Sequence, residues 1–215
     1  MRRFTRLVIV VGAKLQHLRR ADRLNRDDLT SVMPTFIRLA ESRIDRDLRH
    51  WRQEIRSTAI LSAQYSAIPG NYLRPIRLQI LDGSTSAVEP ISTAQMLQLR
   101  GDNYDQTGRP THYALTAGGF ELYPTPDVAY NTSLVYYGRI AALSVSNTTN
   151  WLLEEAPDAY LYGALVHSAP YLKDDAKIAV WDGLYKAAMD NLNATSEDAK
   201  YGGSGLKMKL RRNAP

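Results

Sequence analysis

Four histidines, three acidic doublets and one glycine pair come nearest in type and spacing to chemistry in this sequence. His17, His50, His112 and His167 stand apart in the chain. None sits in an HExxH or histidine-plus-acid spacing, which would put two metal ligands on one helix face. There is no cysteine, which removes thiolate zinc sites, disulfides and thiol nucleophiles together and fits a reducing cytosol. Asp27-Asp28, Glu154-Glu155 and Asp174-Asp175 have the composition of a glycosidase acid pair. Each, however, falls just before or at the start of an expected helix, where carboxylates complement the dipole and cap free amides. Gly118-Gly119 reads as a turn, since the chain has no Walker loop, no GxGxxG after a strand and no GxSxG elbow. The expectation is a protein without catalytic residues, metal ligands or cofactors.

The elements that would position such residues are readable from periodicity. Residues 34–52 predict a helix with Pro34 in its first turn. Ile37, Ala40, Ile44, Leu48 and Trp51 form its apolar stripe, and Arg43–Asp47 and Asp45–Arg49 are i,i+4 pairs on its outer side. A preceding helix is expected over 13–25. The period then changes. "EIRSTAILSA", "NYLRPIRLQIL" and "NTSLVYYGRIA" read as strands, and "THYALTAGGFELY" as a hairpin around the glycine pair. "STAQMLQL" reads as a short helical stretch between them. Pro157 then opens a helix ending or kinking at Pro170. Asp174 caps a last helix whose stripe is Ile178, Trp181, Tyr185, Ala188 and Leu192. The fold class expected is α+β. N- and C-terminal helices (13–52 and 150–201) form a helical bundle, with a β-rich insertion at 53–142 and a flexible basic C-terminal arm at 202–215.

Charge is unevenly spread: residues 1–52 carry +7, 53–202 carry −6 and 203–215 carry +4. Basic ends around an acidic body suit contacts with other macromolecules, with solvated faces as the plainer alternative. No apolar run reaches the roughly 18 residues of a membrane span. The start has a basic end and the run LVIVVGA, but the run is short for a secretory signal and no small-residue cleavage site follows it.

"DAYLYGALVHSAPYL" is apolar almost all the way round. Leu161, Ala164, Leu165 and Leu172 can face a core, which leaves Tyr160, Gly163, Val166 and His167 on other sides. Tyrosine suits surfaces buried only on assembly, and the chain has 13. Gly163 costs helix stability, which a closely packed neighbour would offset. Two readings stand side by side: a central helix wrapped by its own domain, and a subunit interface. In "GGSGLKMKLRRNAP", Gly202, Gly203, Ser204 and Gly205 form a hinge. Leu206, Met208 and Leu210 then alternate with Lys207, Lys209 and Arg211, followed by Arg212, which suits an added strand as well as a disordered tail.

The ordered series "LNRDDLTSVMPTFIRLAESRIDRDLR", "AIPGNYL", "YYGRIAALSVSNTTNWLLEEAPDAYLYGALVHSAPYLKDD" and Trp181 resembles the head-to-tail adaptor (connector) proteins of tailed bacteriophages. It is most similar to the short-tailed-phage adaptors of the tail tubular protein A or gatekeeper type. The likeness runs from about Leu24 to Gly205 and contains no catalytic motif. It implies a helical bundle with a β-rich insertion. It also implies a ring, typically of twelve copies, that docks on the portal protein and carries the tail or nozzle protein in the virion neck. Genomic DNA would lie in the channel, no membrane would be involved, and assembly would take place in the host cytoplasm. Leu206 to Arg212, with Tyr160, Gly163 and His167, are the candidate portal or subunit contacts. Two other functions compete. A DNA-binding protein is suggested by the pI of about 9.4. A carbohydrate-active enzyme would use an acid pair on the β block.

Overall fold

The computed structural model describes residues 28–172 and 177–202. The helix expected at 13–25, the Asp174 cap and the arm beyond Gly202 lie outside the described residues. The protein is α+β. Its helices are α1 (Asp28–Asp47), α2 (Thr93–Asp102), α3 (Trp151–Glu155), α4 (Pro157–Leu172) and α5 (Ile178–Tyr201). Its strands are β1 (Glu54–Leu61), β2 (Tyr65–Ser66), β3 (Tyr72–Ile80), β4 (Ser86–Ile91), β5 (His112–Thr116), β6 (Gly119–Tyr123) and β7 (Tyr130–Gly138). The chain divides into two compact units, one formed by the segments up to Trp51 and from Ile140, the other by Arg52–Arg139.

In the helical unit, α4 packs against both α1 and α5. The core draws Phe36, Ile37 and Ile44 from α1, Tyr160 and Leu165 from α4, and Trp181 and Tyr185 from α5. Complete burial of one such aliphatic side chain stabilises by ~1.5–3 kcal/mol. Two expectations for α1 change. It begins at Asp28, so Pro34 lies inside it rather than in its first turn. The Pro34 ring is on the exposed side, so the helix loses a ladder bond without a clash in the core. The helix also ends at Asp47, so the 3.6-residue period does not carry to Trp51, which is 42% exposed. Pro170 lies inside the last turn of α4, which runs on to Leu172.

The second unit is a seven-stranded sheet in the order β1-β7-β3-β4-β5-β6-β2. β1 pairs antiparallel with β7 in unbroken register from Glu54↔Tyr137 to Leu61↔Tyr130. β5 and β6 form the hairpin expected at the glycine pair. At Gly119 the φ of +153° and a Cβ position that would collide with the Ser66 carbonyl both require glycine. β4 and β5 run parallel, joined through α2, as a parallel pair needs a crossover. Ser92 and Gln95 close a reciprocal capping box at the start of α2. β4 was not among the strands expected. Val88 is its one buried residue and Pro90 lies within it, so neither periodicity nor propensity marks it. Phe120 sits edge-on to Tyr72 and Tyr113, with centroids 5.8 and 5.2 Å away, at the centre of this unit's core.

Candidate interaction surfaces

The segment from Ile140 to Asn150 has little regular structure, so its backbone must find side-chain partners. Glu41 of α1 accepts from the Leu143 amide at 2.7 Å, and Asp45 accepts from Ile140 at 3.5 Å. Burial pushes the Glu41 carboxyl above its ordinary value, with the Leu143 amide opposing. Asn150 does three things with one amide. Its Oδ1 accepts from the Leu153 amide and caps α3, and its Nδ2 donates to the Ala141 carbonyl and to the Tyr160 hydroxyl at 2.7 Å. Burial raises the Tyr160 hydroxyl well above the usual phenol range, while the Asn150 bond lowers it.

The seam between α1 and α5 is ionic and aromatic. Arg43 donates to Asp182 at 2.5 Å and lies 4.2 Å above the Tyr185 ring. Tyr185 donates to Asp47 at 3.1 Å, and Lys186 pairs with Asp182 at 2.8 Å. Hydrogen bonds from Lys186 and Arg43 hold the Asp182 carboxyl below its usual range. Asn193 and Ser196 of α5 accept the backbone N–H groups of Arg49 and Trp51, closing the end of α1. His50 stacks on Trp151 at 4.9 Å. The basic residues at this seam are thus engaged with acids and rings of their own unit.

In the sheet unit, Arg100 is 5% exposed and donates to Glu121 and to the Leu122 carbonyl, both at 2.6 Å. Glu121 also accepts from Gln64 at 3.1 Å. This pair ties α2 to β6. Glu121 has an arginine rather than a second carboxylate as its partner, so it lacks the companion that glycoside hydrolysis needs. Among the described residues no group of His, Asp and Glu could hold a metal ion, and no helix is long and apolar enough to cross a membrane.

Both edges of the sheet, β1 and β2, border one groove of about 320 Å³. Ser57, Ala59 and Leu61 of β1 form one wall. Ser66 to Pro69 form the other, with Leu78, Leu134 and Phe120 at the base.

The candidate contact residues are placed as follows. Tyr160 is 1% exposed and belongs to the core of its own unit. This corrects the expectation that it points away from the core: α4 has neighbours on two sides, so its second face is interior as well. Gly163 is also buried, and a Cβ there would meet that of Ala40 at 3.0 Å. The close neighbour expected at this glycine is α1 of the same chain. His167 is half-buried, and its Nε2 has no hydrogen-bond partner among the described residues. Burial, then Arg43 and Arg46, lower its pKa. Leu206 to Arg212 lie outside the described residues. Sequence reasoning missed the groove and the edge. The small residues at alternate positions of "STAIL" were the available signal, but only the sheet order shows which strand is outermost.

A family model described as SU10 adaptor protein matches residues 13–207. No curated protein matches the sequence.

Proposed function

Because the chain belongs to the SU10 adaptor protein family of phage head–tail adaptors, we propose that it forms a ring of twelve copies that docks on the portal and joins it to the tail or nozzle protein. The protein is a bacteriophage structural adaptor. The observation that carries the proposal is the family match over residues 13–207, nearly the whole chain. In this reading the N- and C-terminal helices act as the bundle, the β-rich block is an insertion in it, and DNA passes through the ring. The adaptor has no enzymatic activity of its own. Lateral contacts use apolar side chains left outside the cores. Val180 and Leu184, 59% and 41% exposed and one turn apart on α5, support this, as does Gly183 between them with open space at its Cβ position.

Free subunits stay monomeric, and the portal presents many equivalent sites at which neighbours gain from local concentration. Mass measurement and electron imaging of the purified protein, with and without portal rings, test this. A monomer alone and a ring on the portal are expected. A tight two-fold dimer with no portal binding would overturn the proposal. The competing reading, a DNA-binding protein, rests on the pI of about 9.4. It predicts a salt-dependent affinity of the isolated protein for duplex DNA.

A further inference from the structure

Among the described residues β1 is an outer strand, and it lacks the usual protections. An exposed edge offers a row of backbone donors and acceptors, and proteins commonly blunt it with proline, a bulge or inward-pointing charge. From Arg56 to Leu61, β1 has no proline, and its register with β7 is unbroken. The side chains it points into the groove are Ser57, Ala59 and Leu61. The opposite edge, β2, is two residues long, and the chain after it forms the far wall. Among the described residues the sheet is therefore short of one strand at the place where its two edges approach. The groove also holds Leu78, Leu134 and Phe120, and its Thr132 hydroxyl donates to the Ala59 carbonyl at 2.8 Å.

We propose that this gap receives the C-terminal arm of a neighbouring copy, Gly205 to Arg212, as an added strand beside β1. The proposal rests on the ring reading above. Three features select this occupant. Leu206, Met208 and Leu210 recur at period two, so all three enter one face, and large side chains meet the small Ser57 and Ala59. Lys207, Lys209 and Arg211 then fall on the other face, toward solvent. α5 ends at Tyr201, and the 13 residues after Gly202 span roughly 45 Å when extended, enough to leave their own subunit. Each chain also has one arm to give and one gap to fill. Such a head-to-tail contact saturates every subunit when the assembly closes into a ring.

The test uses the full chain with its own arm silenced by Leu206→Ser, Met208→Ser and Leu210→Ser, and a peptide of residues 203–215 added in trans. The peptide should bind and slow hydrogen exchange at the edge-facing β1 amides of Arg56, Thr58 and Ile60, since those of Ser57, Ala59 and Leu61 face β7. Ala59→Lys should weaken binding by roughly tenfold or more, and Ile60→Lys, on the other face of β1, should leave it unchanged. A peptide with Lys207, Lys209, Arg211 and Arg212 changed to glutamine should still bind, and one with the three apolar residues changed to serine should not. Absence of binding, or binding that depends on the charges and ignores Ala59→Lys, overturns the proposal. So does a monomeric natural chain whose β1 amides are already protected by its own arm. Imaging on the portal separates the two readings. Rings that form equally well from the silenced chain overturn arm exchange and leave the ring standing. A chain that never forms rings but binds the peptide overturns the ring alone.

Discussion

At the scale of single residues, Asn150 has more depending on it than its position in an irregular segment suggests. It caps α3, holds the Ala141 carbonyl and satisfies the buried Tyr160 hydroxyl. Loss of a cap alone costs about 0.5–2 kcal/mol, and an orphaned buried hydroxyl adds about 1–3 kcal/mol. Asn150→Ala should therefore destabilise by at least about 2 kcal/mol in denaturant titration. Asn150→Asp keeps the capping oxygen but removes both donors, and should recover only the cap's share. His167 gives a pH prediction. Its pKa lies below the ordinary histidine value through burial and the nearby Arg43 and Arg46. Above about pH 6.5 it is neutral in both folded and unfolded chains. As pH falls below that value, the unfolded chain takes up the proton first, so stability is lost. Glu41, raised by burial, contributes the opposite slope from about pH 4.5 upward. Melting curves from pH 7.5 to 5.5 should thus fall less steeply for His167→Gln than for the parent, and equal slopes would remove His167 from the account.

At the scale of elements, α4 is fixed by what it touches on two sides. Gly163 allows α1 to approach so closely that an added Cβ would meet Ala40 at 3.0 Å. Gly163→Leu should cost about 1–3 kcal/mol by overpacking. Gly163→Ala sets that contact against about 1 kcal/mol of helix propensity, and combining it with Ala40→Gly should restore the space. A cycle of the two changes that shows no coupling would refute this account of the approach. On α5, Trp181 is 5% exposed within the core stripe. Trp181→Ala should cost roughly 3–5 kcal/mol. Trp151, half-buried against His50, should cost less when truncated, and thermal unfolding of both variants measures the order.

At the scale of the whole molecule, the charged groups described above stabilise the units to which they belong. The charged groups of the α1–α5 seam and the Arg100–Glu121 pair are engaged within their own units. Among the described residues, exposed apolar side chains and the outer strand β1 are left for partners. Deleting residues 204–215 should leave the melting temperature within a few degrees of the parent, because the core residues described in both units lie before Gly202. The same deletion should weaken retention on portal rings, measured by co-sedimentation. Full retention by the truncated chain would mean that the arm has no part in attachment.

The sequence by itself determined the elements whose signals are local. The stripe of α1 up to Leu48, the stripe of α5, the hairpin at Gly118-Gly119 and the start of α4 at Pro157 all follow from periodicity, turn chemistry or fixed φ. It also carried the family resemblance, which lies in an order of blocks rather than in any one residue. Only the tertiary structure decided the rest, because the deciding contacts are distant in sequence. Pro90 reads against a strand until β5 pairs with it, Pro90 opposite Tyr113, on one side of β4. Tyr160 reads as a surface residue until Asn150 and the flanking helices enclose it. The two edges of the sheet border one groove only after seven strands are ordered, a relation that no local pattern in "EIRSTAIL" contains.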